Sequence, residues 1–100
     1  MKRNLIRYQT RPEAADENQR LIEQVFRELR TEAPEGLRYL ALRLEDGSFV
    51  HFVSVTEEGD GKLPGLPAFK AFQNGIRDRV VEPPKVAAAT VIGDYRMLGD

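Results

Sequence analysis

The chain has 100 residues, 41% hydrophobic and 31% charged, the balance of one globular domain spanning 1–100 with a single core. Fifteen Lys and Arg against sixteen Asp and Glu leave a net charge of -1, which removes the long-range attraction that draws basic proteins onto nucleic acid or anionic membrane, so neither is an expected partner. There is no cysteine and a single histidine, which excludes disulfides, thiolate ligands, thiol nucleophiles and any multi-histidine metal centre within one chain; no metal or cofactor is expected.

The opening Met1-Lys2-Arg3-Asn4-Leu5-Ile6-Arg7 carries positive charge but no following apolar run, and no stretch is long and apolar enough to span a bilayer, so the default expectation is a cytoplasmic protein. Leu5 to Thr10 alternates with a period of two and predicts a half-buried strand. From Asp16 to Ala33, Leu21, Ile22, Val25, Phe26 and Leu29 form one apolar stripe of a helix. Thr10 with Glu13, or Asp16 with Gln19, offers a capping pair for its start, and Pro34-Glu35-Gly36 ends it.

Strands follow over Leu37 to Leu44 and Phe49 to Val55, joined through Glu45-Asp46-Gly47-Ser48, where Asp-Gly between apolar runs signals a hairpin. Thr56 to Leu66, with Gly59, Gly61, Pro64 and Gly65, reads as the one long irregular segment. A second helix is expected over about Ala68 to Val81, with Phe69, Phe72, Ile76 and Val80 on one stripe and Gly75 weakening its interior, and a last strand from Val86 to Tyr95. The order β-α-β-β-α-β predicts a ferredoxin-like α+β domain, a four-stranded antiparallel sheet with two helices on one face.

A two-residue Asp46-Gly47 turn would pair Leu44 with Phe49, Leu42 with His51 and Leu40 with Val53, and would place those six beneath the helices. The opposite face would then carry Tyr39, Ala41, Arg43, Val50, Phe52 and Ser54. A sheet face left in water should alternate to polar residues, so this apolar patch calls for a cover. The expected cover is a second copy of the same sheet, forming a homodimer, with a small apolar or aromatic ligand held between the sheets as a compatible addition.

The segments Pro34-Glu35-Gly36-Leu37-Arg38-Tyr39, Phe49-Val50-His51-Phe52-Val53 and Leu66 to Val80, in this order, resemble the dimeric α+β-barrel superfamily typified by the antibiotic-biosynthesis monooxygenases, over about Leu5 to Tyr95. The resemblance implies two chains stacking their sheets into a barrel. It also implies a range of roles, from cofactor-free oxygenation of polycyclic aromatics and haem degradation through an Asn, Trp and His set to proteins with no known reaction. This chain lacks tryptophan, and Asn4, Asn18 and Asn74 fall at a strand edge or on helices, so the barrel and its cleft carry over but no catalytic residue does.

Arg7, Tyr39 and Arg43 near the apolar patch, with Phe52, are the candidate ligand-binding residues, able to offer donors to a carboxylate or a phenol. The competing reading has the arginines reaching water along apolar surface and Tyr8 and Tyr95 packing with wet hydroxyls. His51 reads as a core histidine, and as the alternative catalytic residue if the register shifts by one and turns it into the barrel. Phe49-Val50-His51-Phe52 imitates half of an RNA-recognition signature, but Glu45-Asp46-Gly47 stands where its basic and aromatic half belongs. The favoured reading is therefore a homodimeric α+β-barrel protein that binds a small molecule or serves as a scaffold. The alternative is a cofactor-independent monooxygenase-like enzyme acting on an aromatic or polyketide-like substrate.

Overall fold

The computed structural model describes residues 1–98. Strand β1 runs over Lys2–Gln9, and after a short 3-10 turn at Pro12–Ala14 helix α1 occupies Ala15–Glu32. Strands β2 (Leu37–Arg43) and β3 (Ser48–Val55) form a hairpin, three short helices α2 (Lys62–Gly65), α3 (Pro67–Gln73) and α4 (Ile76–Arg79) follow, and β4 is Lys85–Ala88. Among the described residues these strands make one antiparallel sheet in the order β2-β3-β1-β4, the ferredoxin-like arrangement expected. The helices lie on one face of it over a core containing Tyr8, Ile22, Val25, Phe49 and Phe72. No described helix is long and apolar enough to cross a membrane.

Several local expectations give way to competing physics. Neither capping pair closes α1; Asp16 and Gln19 instead accept from Arg43, and Thr10 bridges to Val80. Arg11, held extended by the following Pro12, accounts for the 3-10 turn before the helix. The expected second helix is broken because Gly75 adopts φ +98, which splits α3 from α4, while one helical turn, α2, forms inside the segment read as irregular. The last strand stops at Ala88, well short of Tyr95.

The decisive difference lies at the hairpin. The two-residue turn is not formed: the Gly47 N–H donates to Leu44 O at 3.1 Å and the Leu44 N–H donates to Ser48 O at 2.8 Å, enclosing Glu45, Asp46 and Gly47. Gly47 takes φ +87, the left-handed residue of a turn with a bulge, and Asp46 Oδ1 accepts from the Ser48 N–H at 2.9 Å. The added residue slides β2 by one position, so that Arg43 faces Phe49, Ala41 faces His51 and Tyr39 faces Val53.

A one-residue slip exchanges the faces of the whole strand. Tyr39, Ala41 and Arg43 thus lie beneath the helices with Phe49, His51 and Val53, correcting the expectation that Tyr39 and Arg43 face away from them. Leu40 and Leu42, expected in the core, are on the open face, 43% and 50% exposed, beside Val50, Phe52 and Leu5. The strand β3 half of the expectation holds: Phe49 and His51 are buried under the helices.

Because Gly47 carries a backbone conformation that costs an L residue roughly 1–2 kcal/mol, Gly47→Val is expected to lower stability by about that amount in chemical denaturation. An unchanged denaturation midpoint would show that the hairpin can close through another turn.

Candidate functional site

The helix face of the sheet holds a polar chain inside the apolar core. Strand β1 supplies Tyr8, β3 supplies His51 and β2 supplies Tyr39, three neighbouring strands directing their rings at the helix layer. Tyr8 Oη lies 2.8 Å from His51 Nε2, and Tyr39 Oη sits 2.5 Å from His51 Nδ1, so both imidazole nitrogens are occupied by tyrosine hydroxyls. From α1, Asn18 Nδ2 donates to Tyr8 Oη at 2.9 Å; from α4, Arg79 Nε donates to Asn18 Oδ1 at 2.9 Å, and Arg79 Nη2 donates to Phe72 O at 2.5 Å. The chain Arg79, Asn18, Tyr8, His51, Tyr39 thus connects α4 to β2 through the core.

Aromatic packing holds these groups in place. Tyr8 stacks between Phe49 and His51, with ring centroids 5.6 and 5.3 Å away, and His51 also meets Phe72 at 5.6 Å. Tyr39 packs on Phe26 of α1 at 4.8 Å, and the Arg79 guanidinium lies over the Phe72 ring at 5.3 Å. Asn18 is completely buried and Arg79 is 8% exposed, without an ion-pair partner among the described residues.

Burial sets the protonation states. It lowers His51 from 6.5 to about 4, so the imidazole is neutral near pH 7, and it pushes Tyr8 up to about 12 despite the Asn18 hydrogen bond, which acts the other way. Tyr39 is raised as well, chiefly by burial and further by Tyr8. Burial also lowers Arg79 from its ordinary value, against the opposing pull of Tyr8, Glu17 and Asp78.

Beside this chain, α1 and the outer edge of β2 enclose an open groove of about 690 Å³. Tyr39, Ile22, Phe26 and Phe49 give it apolar and aromatic walls, and Arg27, Arg30 and Arg43 stand at it with Glu23. Arg43 is engaged by Asp16 at 3.0 Å and Gln19 at 2.7 Å, whereas Arg27 and Arg30 enter no ion pair among the described residues. Among the described residues, no group of three or more His, Cys, Asp or Glu is placed to hold a metal ion.

The five residues singled out in the sequence are divided between two faces. Tyr39, His51 and Arg43 come together on the helix side. Arg7 and Phe52 are on the open face, where Phe52 lines a separate hollow with Thr90, Val91 and Tyr95. Tyr8, expected to pack with a wet hydroxyl, has that hydroxyl buried and doubly bonded. Asn18 and Arg79 went unrecognised, although each left a signal: Asn18 is in phase with Ile22, Val25 and Leu29, and Arg79 with Phe72 and Ile76, polar residues interrupting apolar stripes.

The sheet order and helix placement define a ferredoxin-like α+β fold, and solved structures of that form match over nearly the whole chain. An antibiotic biosynthesis monooxygenase structure aligns at TM-score 0.74 with 18% identity, covering 93% of this chain and 100% of its own. Rv0793 of Mycobacterium tuberculosis aligns at 0.75 with 19% identity over 93% and 96%, and a Nitrosomonas europaea protein of unknown function at 0.69 with 16% identity over 94% and 92%. These likenesses establish the fold. No known protein family and no curated protein matches the sequence itself.

A histidine whose pKa is lower in the folded chain contributes stability that is complete above the unfolded value of 6.5 and is lost as pH falls through about 4. Denaturant titrations between pH 7 and pH 4 are therefore expected to show a loss of up to about 3 kcal/mol attributable to His51, at about 1.4 kcal/mol per pH unit of displacement. His51→Phe should abolish most of that pH dependence; a slope that persists in the variant would place its origin elsewhere.

Proposed function

We propose that the protein is a homodimeric α+β barrel that binds a small aromatic molecule carrying negative charge in the groove between α1 and β2. The observation that carries the reading is the groove itself: about 690 Å³, a volume suited to a compact ligand, walled by Tyr39, Phe26 and Phe49 and flanked by Arg27 and Arg30, which enter no ion pair among the described residues. Flat apolar walls suit an aromatic ring, and guanidinium groups suit a carboxylate or phenolate.

The homodimer is supported by the open sheet face. Leu5, Leu40 and Leu42 are 38%, 43% and 50% exposed there, adjacent across the strands to Val50 and Phe52. A second copy stacked on these apolar residues would remove them from water in the manner of a two-fold interface.

A second reading, a cofactor-independent oxygenase of an aromatic or polyketide-like substrate, is favoured by the Tyr39–His51 contact beside the groove, a path along which a substrate proton could be redistributed. In that chemistry the substrate supplies the electrons: a ring CH2 and O2 become a carbonyl and water. We rank it second because both His51 nitrogens are occupied and burial makes the imidazole a weak base.

Sedimentation at micromolar concentration is expected to give twice the chain mass, and Leu42→Glu, which sets a charge in the apolar face, to give the monomer. A wild-type monomer would remove the dimer. Aromatic carboxylates are expected to raise the melting temperature, and the double variant Arg27→Glu and Arg30→Glu to weaken their binding about tenfold or more while changing stability by under about 0.5 kcal/mol, since both arginines are exposed. Aromatic carboxylates that leave the melting temperature unchanged would sink the groove reading. Oxygen uptake with a reduced polycyclic phenol would reverse the ranking of the two readings.

A further inference from the structure

The hydrogen-bond chain has a favoured direction, and Arg79 sets it. A guanidinium only donates, so Asn18 must turn its Oδ1 to Arg79 Nε and its Nδ2 to Tyr8 Oη. Tyr8 then has its oxygen accepting from Asn18 and a single hydroxyl hydrogen left to place. It has two choices at His51. If the hydrogen goes to Nε2, the imidazole carries its proton on Nδ1 and donates it to Tyr39 Oη. If Nε2 carries the proton instead, Tyr8 Oη accepts twice and its own hydrogen is stranded in a site that is 4% exposed.

A buried hydroxyl hydrogen without an acceptor carries a penalty of about 1–3 kcal/mol, which the first arrangement avoids at Tyr8. The surplus hydrogen is then passed to the end of the chain. Tyr39 Oη accepts from His51, and among the described residues no protein group accepts the Tyr39 hydroxyl hydrogen in return. Tyr39 as a whole residue is half-buried and lines the groove, although its hydroxyl is itself desolvated.

We propose that Arg79 is a positioning residue that polarises the whole chain outward, holding His51 as the Nδ1–H tautomer and leaving the Tyr39 hydroxyl as a donor reserved for an acceptor oxygen of the groove ligand. The ligand class is thereby narrowed to aromatic molecules bearing a carboxylate, phenolate or enolate oxygen. This second half rests on the groove reading above; the tautomer does not. Successive bonds aligned donor to acceptor strengthen one another, so the terminal hydroxyl is a better donor than an isolated tyrosine.

Two measurements test it. Long-range proton–nitrogen correlation spectra of the histidine-labelled full chain are expected to show protonated Nδ1 and bare Nε2 for His51, the reverse of the tautomer that free histidine prefers. Arg79→Met, which keeps an apolar stem and removes the donor, should yield both tautomers, and Arg79→Lys should restore the single one, which loss of packing alone would not explain. Nε2–H in the wild-type chain overturns the proposal whether or not the variants fold, as does one unchanged tautomer in a folded Arg79→Met.

For the ligand, 2-naphthoate and naphthalene are the probes, read by calorimetry against wild type and Tyr39→Phe. Naphthoate affinity is expected to drop about tenfold or more in the variant, the loss of one hydrogen bond to a charged oxygen, with naphthalene unchanged. Equal naphthoate affinity in both proteins overturns the reserved-donor assignment. If neither compound binds the wild type, the groove reading falls together with the ligand class, while the His51 spectrum still decides the direction of the chain.

Discussion

Arg79 is a cation placed where water is scarce, in no ion pair among the described residues, and the interior is arranged around that fact. Its charge is met by the Phe72 carbonyl, the Asn18 side-chain oxygen and the face of the Phe72 ring. Removing a charge from water is tolerable only when its donors are satisfied. Those acceptors in turn bring α1, α3 and α4 into a fixed relation, since Asn18 and Phe72 belong to different helices. From Asn18 the requirement passes to Tyr8 and His51, which ties the helix layer to the sheet through hydrogen bonds as well as apolar contact. A largely buried polar chain constrains the packing beyond what apolar contacts do, because moving Asn18, Tyr8 or His51 would strand buried polar groups.

The hairpin decides which residues the chain can recruit. Had Asp46-Gly47 closed a two-residue turn, Tyr39 would have faced away from the helices and His51 would have lacked its second tyrosine. The bulge at Gly47 adds one residue, and Tyr39 turns inward to Nδ1. The same slip sends Leu40 and Leu42 outward and concentrates apolar surface on the open face. One backbone feature therefore both sets Tyr39 against His51 and places Leu40 and Leu42 on the open face.

The two faces of the sheet consequently differ in character. The helix face is polar at its centre and opens at its β2 edge into the groove walled by Tyr39, Phe26 and Phe49. The open face carries Leu5, Leu40, Leu42, Val50 and Phe52 beside Arg3, Arg7 and Arg38, with the hollow at Phe52 on it. Arg7 and Phe52 lie on the opposite face of the sheet from Tyr8, His51 and Tyr39, so a candidate site assembled from the sequence combined residues that the fold separates.

The element order, the apolar stripe of α1, the helix stop at Pro34 and the hairpin position were legible in the sequence because each depends on residues a few positions apart: a period of 3.6 or 2, a proline, an Asp-Gly pair. His51 was expected under the helices only through a two-residue turn and in the barrel if the register slipped; the register does slip, yet His51 stays buried under the helices because the slip moves β2 and leaves β3 paired to β1. The face of β2 was not legible, because two-residue and bulged turns through Asp-Gly differ by one residue, and the choice is made by packing across both strands. Nor could local pattern join Arg79 to Asn18 or Tyr8 to His51, pairs 61 and 43 positions apart. Asn18 and Arg79 were visible only as polar breaks in apolar stripes; that they satisfy each other, and fix the proton order of the histidine between two tyrosines, is a consequence of three-dimensional closure, where buried donors must find acceptors wherever the fold provides them.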